Sequence, residues 1–114
     1  MKYILLIYGD EKNWASLNHD EMERMYAGHR AYYTEMQTTG AYQGGSELKP
    51  VSSATSVKFG NGRPKTVDGP FAETKEQLAG FYLIDVENLE KAIEWAEKVP
   101  GMSAGGTVEI RPLA

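Results

Sequence analysis

TVDGPFAETKEQLAGFYLIDV, from Thr66 to Val86, is the stretch that organises the chain. Val67 leads into Asp68-Gly69-Pro70, where glycine supplies backbone freedom and proline fixes its own φ, so the chain turns and Asp68 stands at a corner. Thr74, with Gln77 three residues on, has the spacing of a capping box and predicts one short helical turn that ends at Gly80. Phe81 to Ile84 is apolar on both alternating faces, which is the pattern of a strand buried on both sides.

Upstream, Lys2 to Tyr8 (KYILLIY) has the same double-faced character and reads as a central strand ending at Gly9-Asp10. Asp10 to Leu17 reads as a loop that tucks Trp14 under itself as a lid of the core. Asn18 and Glu21 mark a helix start, and the run His19 to Thr39 stops at Gly40. Met22, Met25, His29, Tyr32 and Met36 recur in alternating steps of three and four, so the His29 imidazole points the way the core side chains point. Such a histidine needs a partner, and a backbone carbonyl is the plain candidate. Gly28 beside it costs the helix about 1 kcal/mol relative to alanine and predicts a close approach by another segment.

Ala41 to Leu48 reads as a strand that bends or bulges at Gly44-Gly45, where a ligand could also approach the backbone closely. Val51 to Phe59 and Arg63 to Val67 read as strands of a hairpin across Gly60-Asn61-Gly62, so Asp68 arrives at the end of a hairpin arm. Asn88 starts a second helix with Leu89, Ala92, Ile93 and Ala96 as its apolar stripe, Trp95 at its edge, and Pro100-Gly101 as its stop. Thr107 to Leu113 is the last strand, and Pro112 places its end at an edge. This order predicts one α+β domain over residues 1–114, an antiparallel sheet with both helices on one face, in a ferredoxin-like arrangement. The helices cover one face only, so the other is expected to bury against a second copy.

Composition narrows the chemistry. The chain has no cysteine, which removes disulfides, thiolate metal sites and cysteine nucleophiles together. With two histidines, His19 and His29, no His-rich metal site can form, and no metal or cofactor is expected. Twelve Lys and Arg are scattered among sixteen acids, so a nucleic-acid partner is not expected. The first apolar run is too short for a secretory segment, and a cytoplasmic protein away from membranes is the expectation. No G-x-S-x-G, P-loop or Rossmann glycine pattern supports acyl transfer, nucleotide hydrolysis or dinucleotide chemistry.

The string DGPFAETKE at Asp68 to Glu76 resembles, close to letter for letter, the signature of the DGPF proteins of the YCII-related superfamily. His29-Arg30-Ala31-Tyr32-Tyr33 with Gly40 looks like that superfamily's first-helix histidine pattern. The resemblance implies a ferredoxin-like fold paired into an α/β barrel dimer, and a histidine with an aspartate partner as active site. Here those roles fall on His29 and Asp68, with Gly44, Gly45, Gly69 and Pro70 as ligand-contacting positions. A carboxylate beside an imidazole can fix its tautomer and shuttle a proton near neutral pH. Two functions follow as expectations. One is a cofactor-independent enzyme using His29 and Asp68 on a small polar substrate. The other is a non-catalytic dimeric module for a small ligand or protein, which the resemblance associates with sigma-factor regulation. A pocket joining His29 to Asp68 favours the enzyme, and an exposed apolar patch with the two residues apart favours the module.

Overall fold

A computed structural model describes residues 1–114. The elements are β1 (Lys2–Gly9), α1 (Glu11–Ala15), α2 (His19–Thr39), β2 (Tyr42–Glu47), a 3₁₀ turn (Val51–Ser53), β3 (Thr55–Gly60), β4 (Arg63–Asp68), β5 (Gln77–Asp85), α3 (Leu89–Glu97) and β6 (Thr107–Pro112). Four strands form one sheet in the order β2-β5-β1-β6, every neighbouring pair antiparallel. With α2 and α3 as its crossovers, this is the α+β, ferredoxin-like layout expected from the sequence.

The alternation of β1 decides where the core forms. Tyr3, Leu5 and Ile7 are buried and meet Tyr32 and Met36 of α2, Ala92 of α3 and Val99 after it, so both helices lie on one face. Ile4, Leu6, Leu83 and Phe81 pair across β1 and β5 on the opposite face and stay half-buried, because no helix reaches them. The start of α2 falls at the expected N-cap and is held by a full capping box: the Asn18 side chain accepts from Glu21 N, and the Glu21 carboxylate accepts from Asn18 N. Gly40 ends it at φ 81°, where glycine avoids the Cβ penalty, and its N–H closes on the Gln37 and Met36 carbonyls.

Several local expectations change. Thr74 and Gln77 form no helical turn: the Thr74 hydroxyl donates to the Glu76 carbonyl, and the Gln77 amide donates back to the Thr74 carbonyl. Gln77 is the first residue of β5, its Oε1 accepting from Glu11 N, and Gly80 lies inside that strand rather than ahead of it. Sheet pairing outweighs a capping pattern with only three residues in which to build a helix. Trp14 stands on the short helix α1 instead of a loop, its ring pressed against Gly9. On α3, Ala92 is sealed, whereas Leu89 and Ile93 remain exposed.

The largest departure is the hairpin. β3 and β4 bond only to each other, as a separate two-stranded sheet, turning at Asn61 and Gly62 with φ 50° and 76°. The arm does not lie under α2. It is inserted in the sequence between β2 and β5, closed at its foot by Gly69 N to the Ala54 carbonyl (2.7 Å) and tied to the body by Val51 N to Glu11 Oε2 (2.9 Å).

Candidate functional site

A cavity of about 790 Å³ opens between α2 and the β2-β5 edge of the sheet. Its lining is mostly apolar and aromatic, with Met22, Met25, Tyr26 and Tyr33 from α2, Tyr42 from β2 and Met102 from the loop before β6. The helix supplies its residues because the stripe that buries Tyr32 and Met36 continues toward its N-terminus past the end of the core, leaving Met22, Met25 and His29 to face open space. The floor is thin for a reason of backbone packing. A Cβ at Gly45 would lie 2.6 Å from the Phe81 carbonyl, and one at Gly80 would lie 2.9 Å from the Ser46 carbonyl, so neither strand can carry a side chain there.

His29 is the titratable centre of this cavity. Its Nδ1 lies 2.8 Å from the Tyr82 hydroxyl, and the rings stack at 6.1 Å with 13° between their planes. The Pro100 carbonyl faces the ring as well and favours its protonation. When Nδ1 accepts from the Tyr82 O–H, the neutral ring carries its proton on Nε2. Burial pushes the His29 pKa down, with the Pro100 carbonyl and the charge of Glu47 opposing, so the ring is neutral in ordinary buffer. No carboxylate lies at hydrogen-bonding distance, and desolvation decides the sign.

Tyr82 is held in turn. Burial raises its pKa and Tyr42 adds to the effect, while Tyr32 meets it edge-on at 5.2 Å. Tyr32 donates to the Trp95 carbonyl at 2.7 Å, and its pKa is raised far above the ordinary tyrosine value by burial first. The chain of contacts His29–Tyr82–Tyr32–Trp95 therefore runs from the cavity into the core. At the mouth, the Tyr26 hydroxyl donates to Glu47 Oε1 at 3.3 Å, and the carboxylate's charge raises the Tyr26 pKa. With Nδ1 bonded to the phenol, a bound molecule in this mostly apolar cavity can give a proton to the Tyr82 oxygen as the tyrosine's own proton passes to His29 Nδ1, which leaves Tyr82 neutral and His29 as imidazolium.

The residues singled out in the sequence divide. His29 and Gly45 line the cavity. Gly44 turns to the other side of β2, where its Cβ would meet Leu83 at an ordinary 3.6 Å, and the register shift lies between Tyr42 and Gly44. Asp68, Gly69 and Pro70 stand at the foot of the arm and are absent from the lining. Gly69 serves the turn itself, at φ 97°, with its carbonyl accepting from the Ser56 hydroxyl. Within one chain, then, the partner of His29 is Tyr82 and the nearest acid felt by its charge is Glu47; Asp68 is neither. The close approach predicted at Gly28 is made by Pro100, 3.1 Å from where a Cβ would stand, and this brings the Pro100 carbonyl to His29.

The sequence reading passed over Tyr82 inside an apolar run and Glu47 at a strand end. One signal was present: a tyrosine in an otherwise aliphatic buried strand must find a partner for its hydroxyl. A smaller cleft of about 290 Å³ between α1, the start of α2 and the loop at residues 100–105 contains no bonded titratable pair, so the larger cavity is the candidate site. No three His, Cys, Asp or Glu side chains come close enough to hold a metal ion, and no helix is long and apolar enough to cross a membrane.

Two comparisons bear on this site. The family model for the YCII-related domain matches residues 1–114. An uncharacterized protein of Rhizobium meliloti (strain 1021) is 36% identical over 115 residues, an alignment that covers 100% of this chain and 93% of that protein.

Proposed function

The chain belongs to the YCII-related domain family, and from that premise we propose that it is a dimeric binding protein for a small molecule with an apolar body and one polar group directed at His29 and Tyr82. The observation that carries the reading is the 2.8 Å contact of His29 Nδ1 with the Tyr82 hydroxyl inside a largely apolar cavity of about 790 Å³. Acid/base chemistry belongs to the same pair. His29 is the base, and Tyr82 orients it and can relay its proton. This replaces the His29–Asp68 dyad as the reading for a single chain, and the separation of those two residues favours the binding module over an enzyme built on them. The dimer is supported by Ile4, Leu6, Phe81 and Leu83, whose face of the sheet no helix covers.

Five methionines make the test direct, since Met22, Met25 and Met102 line the cavity while Met1 and Met36 do not. With ¹³C-methyl methionine, titration of a fragment set of small aromatic amides, acids and alcohols should shift the Met22, Met25 and Met102 methyls and leave Met1 and Met36 in place. Fragments that bind and move only Met1 or Met36, or a set in which none binds, would refute the assignment of this cavity.

A further inference from the structure

We propose that the arm of β3 and β4 seats on the open mouth of the His29 cavity of a second copy of this chain, and that the second copy's arm does the same in return. Phe59 near the arm tip is 83% exposed, Val57 on the same strand is half exposed, and Phe71 just past the foot of β4 is 81% exposed. Their own chain leaves all three uncovered, and β3 and β4 pair only with each other. The radius of gyration is 15.9 Å, against about 13 Å for a compact chain of this length. The same chain carries an unpaired apolar rim: Met22, Tyr26, Tyr33 and Leu48, each more than a third exposed, all border the cavity, and no residue of β3 or β4 does.

Charge favours the arm of one copy meeting the body of another. The arm carries Lys58, Arg63 and Lys65 against Asp68, with none of the three cations in an ion pair, so the rest of a chain of net charge −4 is strongly acidic. The rim is mixed, Glu11 and Glu47 with Lys12 and Arg30, so the complementarity is between arm and body as a whole. Strand addition between two arms is the competing arrangement, and the sequence of the arm opposes it. Pro64 removes a donor from β4, and Lys58 stands opposite Lys65. A six-residue strand reaches about 20 Å, enough to cross a cavity mouth, and reciprocal exchange closes as a two-fold dimer without leaving an arm free. The contact follows from these surfaces alone. Its role as a lid rests on the ligand cavity proposed above, and the experiment reads the contact without any ligand.

The chain has no cysteine, and Gly60 has open space where a Cβ would stand, so Gly60→Cys places one thiol near the arm tip. Mixed with Met22→Cys, or with Lys12→Cys should the first rim variant fail to fold, and gently oxidised, it should form the mixed disulfide on the order of ten-fold faster than with Glu90→Cys on α3, because thiols held in a complex meet at millimolar effective concentration. A mixed disulfide no faster than the Glu90→Cys control overturns the proposal. So does a predominant disulfide between two Gly60→Cys arms, which would show that the arms pair with each other.

Discussion

His29 is held by the contact of its Nδ1 with the Tyr82 hydroxyl, and burial keeps the ring neutral against the opposing pull of the Pro100 carbonyl and Glu47. Replacing Tyr82 with Phe removes a donor to that neutral form, so the NMR titration midpoint of His29 should rise. Asp68→Asn should leave the midpoint unchanged in the same experiment, since Glu47 is the acid the ring feels. A shift on Asp68→Asn with none on Tyr82→Phe would restore the dyad, with Asp68 delivered by a second copy. The sign of the pH dependence follows from burial. Because the folded-state pKa of His29 lies below 6.5, the unfolded chain takes up the proton first as pH falls. The stability linked to His29 is therefore complete above about pH 6.5 and is lost as the pH drops from there through the folded-state value. His29→Leu should flatten that part of the curve in urea melts from about pH 7 to pH 5, the range in which a histidine titrates.

Among the elements, α2 and the β2-β5 edge jointly make the site, and the edge depends on its glycines. Gly45→Ala forces a Cβ toward the Phe81 carbonyl, 2.6 Å from where it would stand, and a backbone atom cannot yield as a flexible side chain can. The expected cost is about 1–3 kcal/mol by overpacking, measured by urea denaturation. The same change at Gly44, where the nearest atom is the Leu83 side chain at 3.6 Å, should cost clearly less. The far end of α2 is tied to α3 by Lys98, which pairs with Glu35 and lies 4.6 Å above the Trp95 ring. Both charged groups are about half exposed, so this tie contributes little to stability.

For the whole molecule, the dimensions of 48 × 39 × 19 Å describe a thin body with a projecting arm. One face of the sheet and one hairpin keep apolar side chains that a chain alone leaves uncovered. Burial of that sheet face in a dimer predicts that Leu6→Glu yields a monomer by sedimentation equilibrium with unchanged far-UV circular dichroism. A wild-type protein that is monomeric at micromolar concentration would defeat the dimer and, with it, the arm exchange.

Much of this fold was legible in local patterns. The helix start at Asn18 and Glu21, the left-handed stop at Gly40 and the turn at Asn61-Gly62 each rest on interactions within a few residues, which a sequence displays directly. The inward direction of His29 was also readable, because helical spacing alone sets it. Its partner was not. Tyr82 is 53 residues away and reaches the imidazole only through the crossing of α2 over β5, which no local pattern encodes. The Thr74–Gln77 capping pattern failed for the same reason, since pairing along β5 outweighed a single turn of helix. That β3 and β4 would stand apart from the main sheet was likewise a tertiary outcome: β5 offers its two edges to β1 and β2, and the hairpin pairs with neither of the remaining free edges, those of β2 and β6.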